Sequence, residues 1–295
     1  MTSHTPPASC AMQDRIDPLI AERAPWLAAP RLSSRLARGA LDQVLRYRET
    51  VALAERFRLS TAHEIMDEMA RRLARRVEIT GLHRLPAEGP ALVVANHPTG
   101  IADGIMLWHA LAARRPDMYF FANADILRVL PQMARIICPV EWRPEKRSHA
   151  KSRETLAFSR TAMSEGRLGV LFPSGRLMQR RGLSLHERPW MASAAMMARR
   201  MDVPLIPIHI RARNSGLFYA FDRIHPTLRD ITLFHETLNK AGQRYRITLG
   251  QPIAPETLPD RAEDATAMLK ERVLSLGDTR FGPRPHGRPG VILAR

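Results

Sequence analysis

Between Gly81 and Leu249, short apolar runs recur at intervals that leave room for one helix between most neighbours. This alternation is the tightest constraint on the fold. The runs lie at 91–95, 118–121, 135–140, 168–172, 203–210 and 245–249, with helical patterns at 104–113, 152–164 and 189–200. Strands separated by helices of this length build a largely parallel sheet covered on both faces, and strands buried on both faces read as continuous apolar runs. The predicted class is therefore α/β, with a mostly parallel central sheet flanked by helices and preceded by an N-terminal helical segment. Ligands of such sheets collect at the carboxyl ends of the strands.

The chain is 295 residues long, enough for one large core. Residues 1–30 are rich in Pro, Ala and Ser and read as a flexible leader; 31–78 read as an amphipathic helical segment, 79–275 as the catalytic domain and 276–295 as a flexible basic tail. Within the helical segment Ile65, Met69, Leu73 and Val77 recur every four residues, with Arg71, Arg72, Arg75 and Arg76 between them. Such a stripe either packs on the domain or rests on a membrane surface. No run reaches the roughly 18 apolar residues of a membrane span, and the leader lacks the pattern of a signal peptide. The expected location is cytoplasmic, peripheral on the inner face of the membrane.

Basic residues number 45 against 29 acidic ones, a formal charge of +16, and all but four of them are arginine. That excess calls for an anionic partner such as a phospholipid surface, an acidic carrier protein or nucleic acid. Aromatic residues make up only 6% of the chain and the arginines are scattered, which argues against nucleic acid. Cys10 and Cys138 offer neither a disulfide framework nor zinc spacing.

The run Ala91-Leu92-Val93-Val94-Ala95 leads directly into Asn96-His97-Pro98-Thr99-Gly100, and Asp103 follows six residues after His97. Pro98 biases His97 toward an extended conformation, so the imidazole should sit where the strand stops. Pro98 and Gly100 then break the backbone and let Asp103 swing back toward the ring. A neutral imidazole held by a carboxylate on one nitrogen can take a hydroxyl proton on the other, which is the arrangement of a general base. His109 lies six residues beyond Asp103, a spacing that matches no usual metal signature, so no metal site is expected.

A second apolar run, 168–172, ends in Pro173-Ser174-Gly175-Arg176. Gly175 permits close backbone approach, and Arg176 offers a planar fork of donors suited to phosphate or carboxylate.

Together the two segments resemble the glycerolipid acyltransferases, the family that includes lysophosphatidate acyltransferase. Asn96, His97 and Asp103 match the family's Asn-His motif with its downstream Asp, and Phe172 to Arg176 match its Phe-Pro-Glu-Gly-Thr-Arg motif. Gly81 to Pro86 resemble the lead-in, Val203 to Ile208 the fourth block, and Ile136 to Arg143 fall where the second block ends in an arginine; the likeness covers 79–253. Two features depart from the family. Five residues separate His97 from Asp103 where four are usual, and Ser174 replaces the family glutamate. On an unbroken helix six positions amount to about 240°, so the Pro-Thr-Gly turn must reshape the backbone for the two side chains to meet. Asn-His-Pro-x-Gly-x-x-Asp-Gly, with 214–219, 238–240 and 250–253, is similar to a bacterial branch associated with ornithine-lipid synthesis and hemolysin-like proteins.

The resemblance implies transfer of a fatty acyl group from acyl-CoA or acyl carrier protein to a hydroxyl of a lysolipid acceptor, lysophosphatidate-like or lyso-ornithine-lipid-like. His97 and Asp103 would be catalytic. Asn96, Thr99, Gly100, Arg143, Ser174, Gly175 and Arg176 would bind substrate, with backbone donors near Gly100 or Gly175 facing the oxyanion and Arg143 and Arg176 holding the headgroup. No cofactor is needed, because the thioester is already activated. The N-terminal basic helices would dock the protein on an anionic leaflet. The chemical rival is a serine hydrolase with Ser174 as nucleophile, although the glycines of a nucleophile elbow are replaced by Phe172 and Arg176.

Overall fold

The sheet consists of β1 (Val77–Thr80), β2 (Ala91–Ala95), β3 (Tyr119–Asn123), β4 (Ile137–Val140), β5 (Leu168–Leu171), β8 (Leu205–Arg211) and β9 (Tyr245–Leu249), while β6 (Gln179–Arg181) and β7 (Ser184–His186) form a separate hairpin. These elements come from a computed structural model that describes residues 12–23, 46–141, 148–182, 184–224 and 232–277, with positions 25, 39 and 229. The strand order is β1-β9-β8-β2-β5-β3-β4. β2 runs parallel to both neighbours, with Val93 opposite Val170 and Ile206, and the antiparallel pair in this sheet is β8 with β9.

All five residues of β2 are buried, because the sheet is covered on both sides. Alternate side chains point to opposite faces of a strand. Ala91, Val93 and Ala95 accordingly pack in one cluster with α3 (Ala62–Leu73) and α4 (Ile101–Leu111). Leu92 and Val94 pack in the other with α5 (His149–Ser164), α6 (Ser193–Met201) and α7 (Ala262–Ser275). Cys138 belongs to this second cluster, and burial pushes its thiol up to about 12, which suits core packing.

The N-terminal region differs from its sequence reading in three respects. Residues 12–23 do not form a loose leader but α1 (Met12–Arg23), whose Met12, Ile16 and Leu19 are buried. Pro18 hides this helix from a propensity reading, but tertiary contacts hold it: Arg15 Nη1 donates to the Val129 carbonyl at 3.1 Å, and Glu22 pairs with Arg128 at 2.7 Å. The helical segment is also broken. α2 (Tyr47–Arg56) ends before a turn, and α3 starts afresh at Thr61, whose hydroxyl accepts from Glu64 N while Glu64 accepts from Thr61 N. Finally, the helix stops at Leu73, and Val77 opens β1 opposite Tyr245. Ile65, Met69 and Leu73 face the core, so the stripe packs on the domain and leaves no apolar face of α3 for a membrane.

Two further corrections concern the sheet and its helices. The helix expected from 104 begins at Ile101, because Asp103 caps its first turn, and the hairpin of β6 and β7 has no apolar alternation that would reveal it. The expected tail from 278 onward, and Arg143, lie outside the described residues.

At the amino ends of β2 and β5, Arg115 is buried and its guanidinium donates to the carbonyls of Gly89 and Gly166 at 2.9 Å each and to Asp117 at 2.8 and 2.7 Å. This clamp joins the loops that feed the two strands.

Candidate active site

β2 delivers Asn96 and His97 to the carboxyl edge of the sheet, between β5 and β8. Asn96 is buried and commits its amide to Ile210: Nδ2 donates to the Ile210 carbonyl at 2.9 Å, and Oδ1 accepts from Ile210 N at 2.7 Å. The expected substrate ligand is thus a two-pronged clip that continues the β2–β8 pairing past the last strand residue. It fixes the backbone from which His97 projects.

The next four residues make the turn that the extra spacing requires. Gly100 adopts φ 91° and ψ −132°, a region open essentially to glycine, and a Cβ there would lie 3.3 Å from Leu177 and 3.4 Å from Leu233. Helix α4 then begins, and Asp103 in its first turn reaches back over its own N-terminus. Oδ2 accepts from Thr99 N at 2.8 Å, Gly100 N at 3.0 Å and His97 Nδ1 at 2.9 Å; Oδ1 accepts from the Thr99 hydroxyl. One carboxylate therefore caps the helix and orients the imidazole. Tyr245 on β9 donates to Thr99 Oγ1 at 2.9 Å, and burial raises its phenol well above the usual range, which keeps it a donor.

Since a carboxylate only accepts, Nδ1 carries a ring hydrogen, and in the neutral imidazole the lone pair is on Nε2. The ring stacks on Phe172 at a centroid distance of 4.1 Å and remains 19% exposed, whereas Asp103 is fully buried. The His97–Asp103 pair can accept a proton from a substrate hydroxyl at Nε2. His109 lies on the exposed side of α4, away from buried Asp103.

Thr99 is buried behind Asp103, so it orients the carboxylate and does not face a ligand. The backbone N–H groups expected to serve the oxyanion are already engaged, that of Gly100 with Asp103 and that of Gly175 with the Phe172 carbonyl at 2.9 Å. Ser174 is buried and donates to the Arg176 carbonyl at 2.7 Å, closing its own turn. Its proton is thus directed away from His97, opposite to what a serine nucleophile needs. Gly175 and Arg176 are exposed beside this turn.

The segment after the turn folds over the site. Met178 N donates to the His97 carbonyl at 2.9 Å, the hairpin of β6 and β7 follows, and Met191 N returns to the Pro173 carbonyl at 3.0 Å. Arg176, Arg181, Arg188 and Arg229 gather here. The Arg188 guanidinium is pushed down by burial and then by its neighbours Arg229 and Arg176, against which Asp222 acts. Glu187 also enters the site on this segment, unforeseen from the sequence. Burial pushes its carboxyl up, opposed by Trp190, Ser174 and His97.

Two segments singled out from the sequence, 214–219 and 238–240, meet behind the site. Lys240 is fully buried and donates to Glu236 at 2.8 Å, while Ser215 N donates to the same carboxylate at 2.9 Å. Burial would raise Glu236, but the hydrogen bonds from Lys240 and Ser215 outweigh it and hold the carboxyl below its ordinary range.

Residues 76–211 match the acyltransferase family. Over 188 residues the chain is 25% identical to a lyso-glycine lipid O-acyltransferase from Phocaeicola vulgatus, a match covering 62% of this chain and 66% of the relative. A lyso-glycine lipid O-acyltransferase from Bacteroides thetaiotaomicron is 23% identical over 188 residues, covering 62% of this chain and 67% of the relative. The chain thus spans about two thirds of the length of these curated relatives. Its fold is similar to that of the 1-acyl-sn-glycerophosphate (LPA) acyltransferase PlsC from Thermotoga maritima, with a TM-score of 0.51, 14% identity and coverage of 84% of this chain and 99% of that one. The sequence likeness is thus to acyltransferases, over residues 76–211 by the family model, and the solved structure shares the fold.

Proposed function

We propose that this chain moves a fatty acyl group from acyl-CoA or acyl carrier protein to the hydroxyl of an anionic lysolipid, of the lyso-amino-acid-lipid or lysophosphatidate type. The observation that carries this reading is His97 Nδ1 held 2.9 Å from Asp103 at the carboxyl end of β2, beside an arginine-rich mouth. His97 Nε2 takes the proton as the acceptor oxygen attacks the thioester carbonyl. The tetrahedral intermediate collapses, the carbon–sulfur bond breaks, and the departing thiolate takes the proton from the imidazolium. Asp103 steadies that cation. Arg176 and Arg188 attract the anionic headgroup. The thioester carries the activation, so the chemistry calls for no cofactor or metal.

The acyl chains require contact with a lipid phase. Among the described residues no helix is long and apolar enough to cross a membrane. Ile101 and Met191 are exposed apolar residues at the site, with Arg176, Arg180 and Arg181 exposed nearby. This mixture suits peripheral docking on an anionic leaflet at the inner face of the cytoplasmic membrane.

The test is a lipid analysis of cells carrying the wild-type or the His97→Ala protein, with transfer measured on the purified chains. The variant should lose about 10²- to 10⁴-fold in turnover, with a lysolipid accumulating and its acylated product vanishing. An unchanged lipid profile at equal protein level would count against the reading.

A further inference from the structure

The ion pair behind the site takes no part in acyl transfer itself. Lys240 and Glu236 are both fully buried. Glu236 accepts from Ser215 N at 2.9 Å, from the Ser215 hydroxyl, from Asn239 Nδ2 at 3.2 Å and from Lys240 Nζ at 2.8 Å, and Nζ also donates to Asn239 Oδ1 at 3.1 Å. Glu236 thereby tethers the loop that leaves β8 to the helix Leu233–Leu238, which packs on α4. Asp103 lies in the first turn of that same α4, and Leu233 borders Gly100 just before it. Tyr245, bonded to Thr99 Oγ1, is within reach of both carboxylates: burial raises its phenol, and the charges of Asp103 and Glu236 add to that. Burial lowers Lys240, against which Glu236 and the charge of Asp103 act. The other titratable groups near the pair are Tyr219 and, on the same helix, His235. The helices packed on this region bring no further charge to it: α2 keeps its charged side chains exposed, and α3 commits Asp67 to Trp108 and Glu68 to Arg71 and Arg72.

A buried ion pair is weak support for stability, since apolar side chains of similar volume commonly do as well. Its charges, however, fall beside a base that must stay unprotonated until a substrate arrives. Asp103 and Glu236 are anionic, Lys240 is cationic and the resting imidazole is neutral. Lys240 cancels Glu236, so the charge left in the core is that of Asp103, and it is cancelled in turn when His97 takes a proton. Without Lys240 the core would hold a second uncompensated carboxylate, and His97 would draw its proton from water instead of from a substrate hydroxyl. We propose that Lys240 is a positioning residue for the general base: its ammonium neutralises Glu236, so that Glu236 tethers the loop after β8 without raising the proton affinity of His97. The importance of that base rests on the acyl-transfer reading.

The test follows the His97 ring across pH by NMR of full-length protein labelled with 15N-histidine, its signal identified by loss in His97→Ala. The wild type is compared with Lys240→Met, Glu236→Gln and the double variant. His97 also meets Glu187, beside Arg176 and Arg188, and these stay the same in every variant. Lys240→Met should move the His97 midpoint up by on the order of one pH unit, and Glu236→Gln should move it down by a similar amount. The double variant should return it to the wild-type value. A merely structural pair would change stability without shifts of opposite sign. Midpoints that stay put in the single variants, or move the same way, or a shift that persists in the double variant, overturn the proposal. Should one single variant fail to fold, the sign of the shift in the other decides. The titration needs no acyl acceptor, so its outcome is separate from that of the transfer assay with His97→Ala, which tests the acyl-transfer reading.

Discussion

The two ends of the β2–β5 pair both carry buried charge, but they use it differently. At the amino end Arg115 donates to the three loop carbonyls of Pro86, Gly89 and Gly166 and to both oxygens of Asp117, and its side-chain nitrogens all find partners. At the carboxyl end Asp103 is equally saturated, but it serves a histidine whose Nε2 faces outward, and Glu187 nearby retains an unpaired oxygen. Saturation makes the first end a clamp. Spare hydrogen-bonding capacity, held in place by saturated neighbours, marks the second as the candidate site.

Substitutions at the two ends should separate these roles. After His97→Ala, the largest effect on turnover is expected for Asp103→Asn. The amide keeps the volume, but its N–H group opposes the donors of Thr99, Gly100 or His97, and the imidazole loses its fixed tautomer. Transfer should fall about 10³- to 10⁴-fold in steady-state assays, and a loss below tenfold would mean that Asp103 caps α4 without serving His97. Arg115→Ala should have the opposite signature. Removing a buried charge from its partners costs about 3 kcal/mol or more, read by urea denaturation, while the KM of the folded fraction stays at the wild-type value. A raised KM would show that the amino-end clamp shapes the site. The smallest effect is expected for Ser174→Ala, which belongs to the carboxyl end but is bonded like a clamp residue. Loss of its bond to the Arg176 carbonyl should lower turnover by roughly fivefold at most. A near-complete loss in the same assay would restore the serine-hydrolase alternative.

Much of this site was legible locally. The run from Ala91 to Ala95 declares a doubly buried strand, Pro98 and Gly100 declare a break, and an acid three residues past Gly100 is well placed to cap a helix. The meeting of His97 and Asp103 follows from those neighbours. Arg115 and Glu187 were not legible, because each lies in a loop or polar hairpin with no periodicity and acquires its meaning from partners brought close by the fold. Asn96 shows the same limit from the other side. Its identity marks the site, but whether its amide faces a ligand or Ile210 depends on β8, more than a hundred positions away.

The sequence by itself determined the α/β class and the placing of His97, Asp103 and Arg176 at strand ends and turns, since these rest on short-range patterns of burial, turn and charge. Tertiary structure decided which side chains are committed inward and which remain open. It turned Asn96, Thr99 and Ser174 from expected ligands into supports, gave α1 and α3 to the core and brought Glu187 beside His97. Hydrogen-bond saturation is settled between segments far apart in the chain, so only the folded arrangement fixes which polar atoms remain for a substrate.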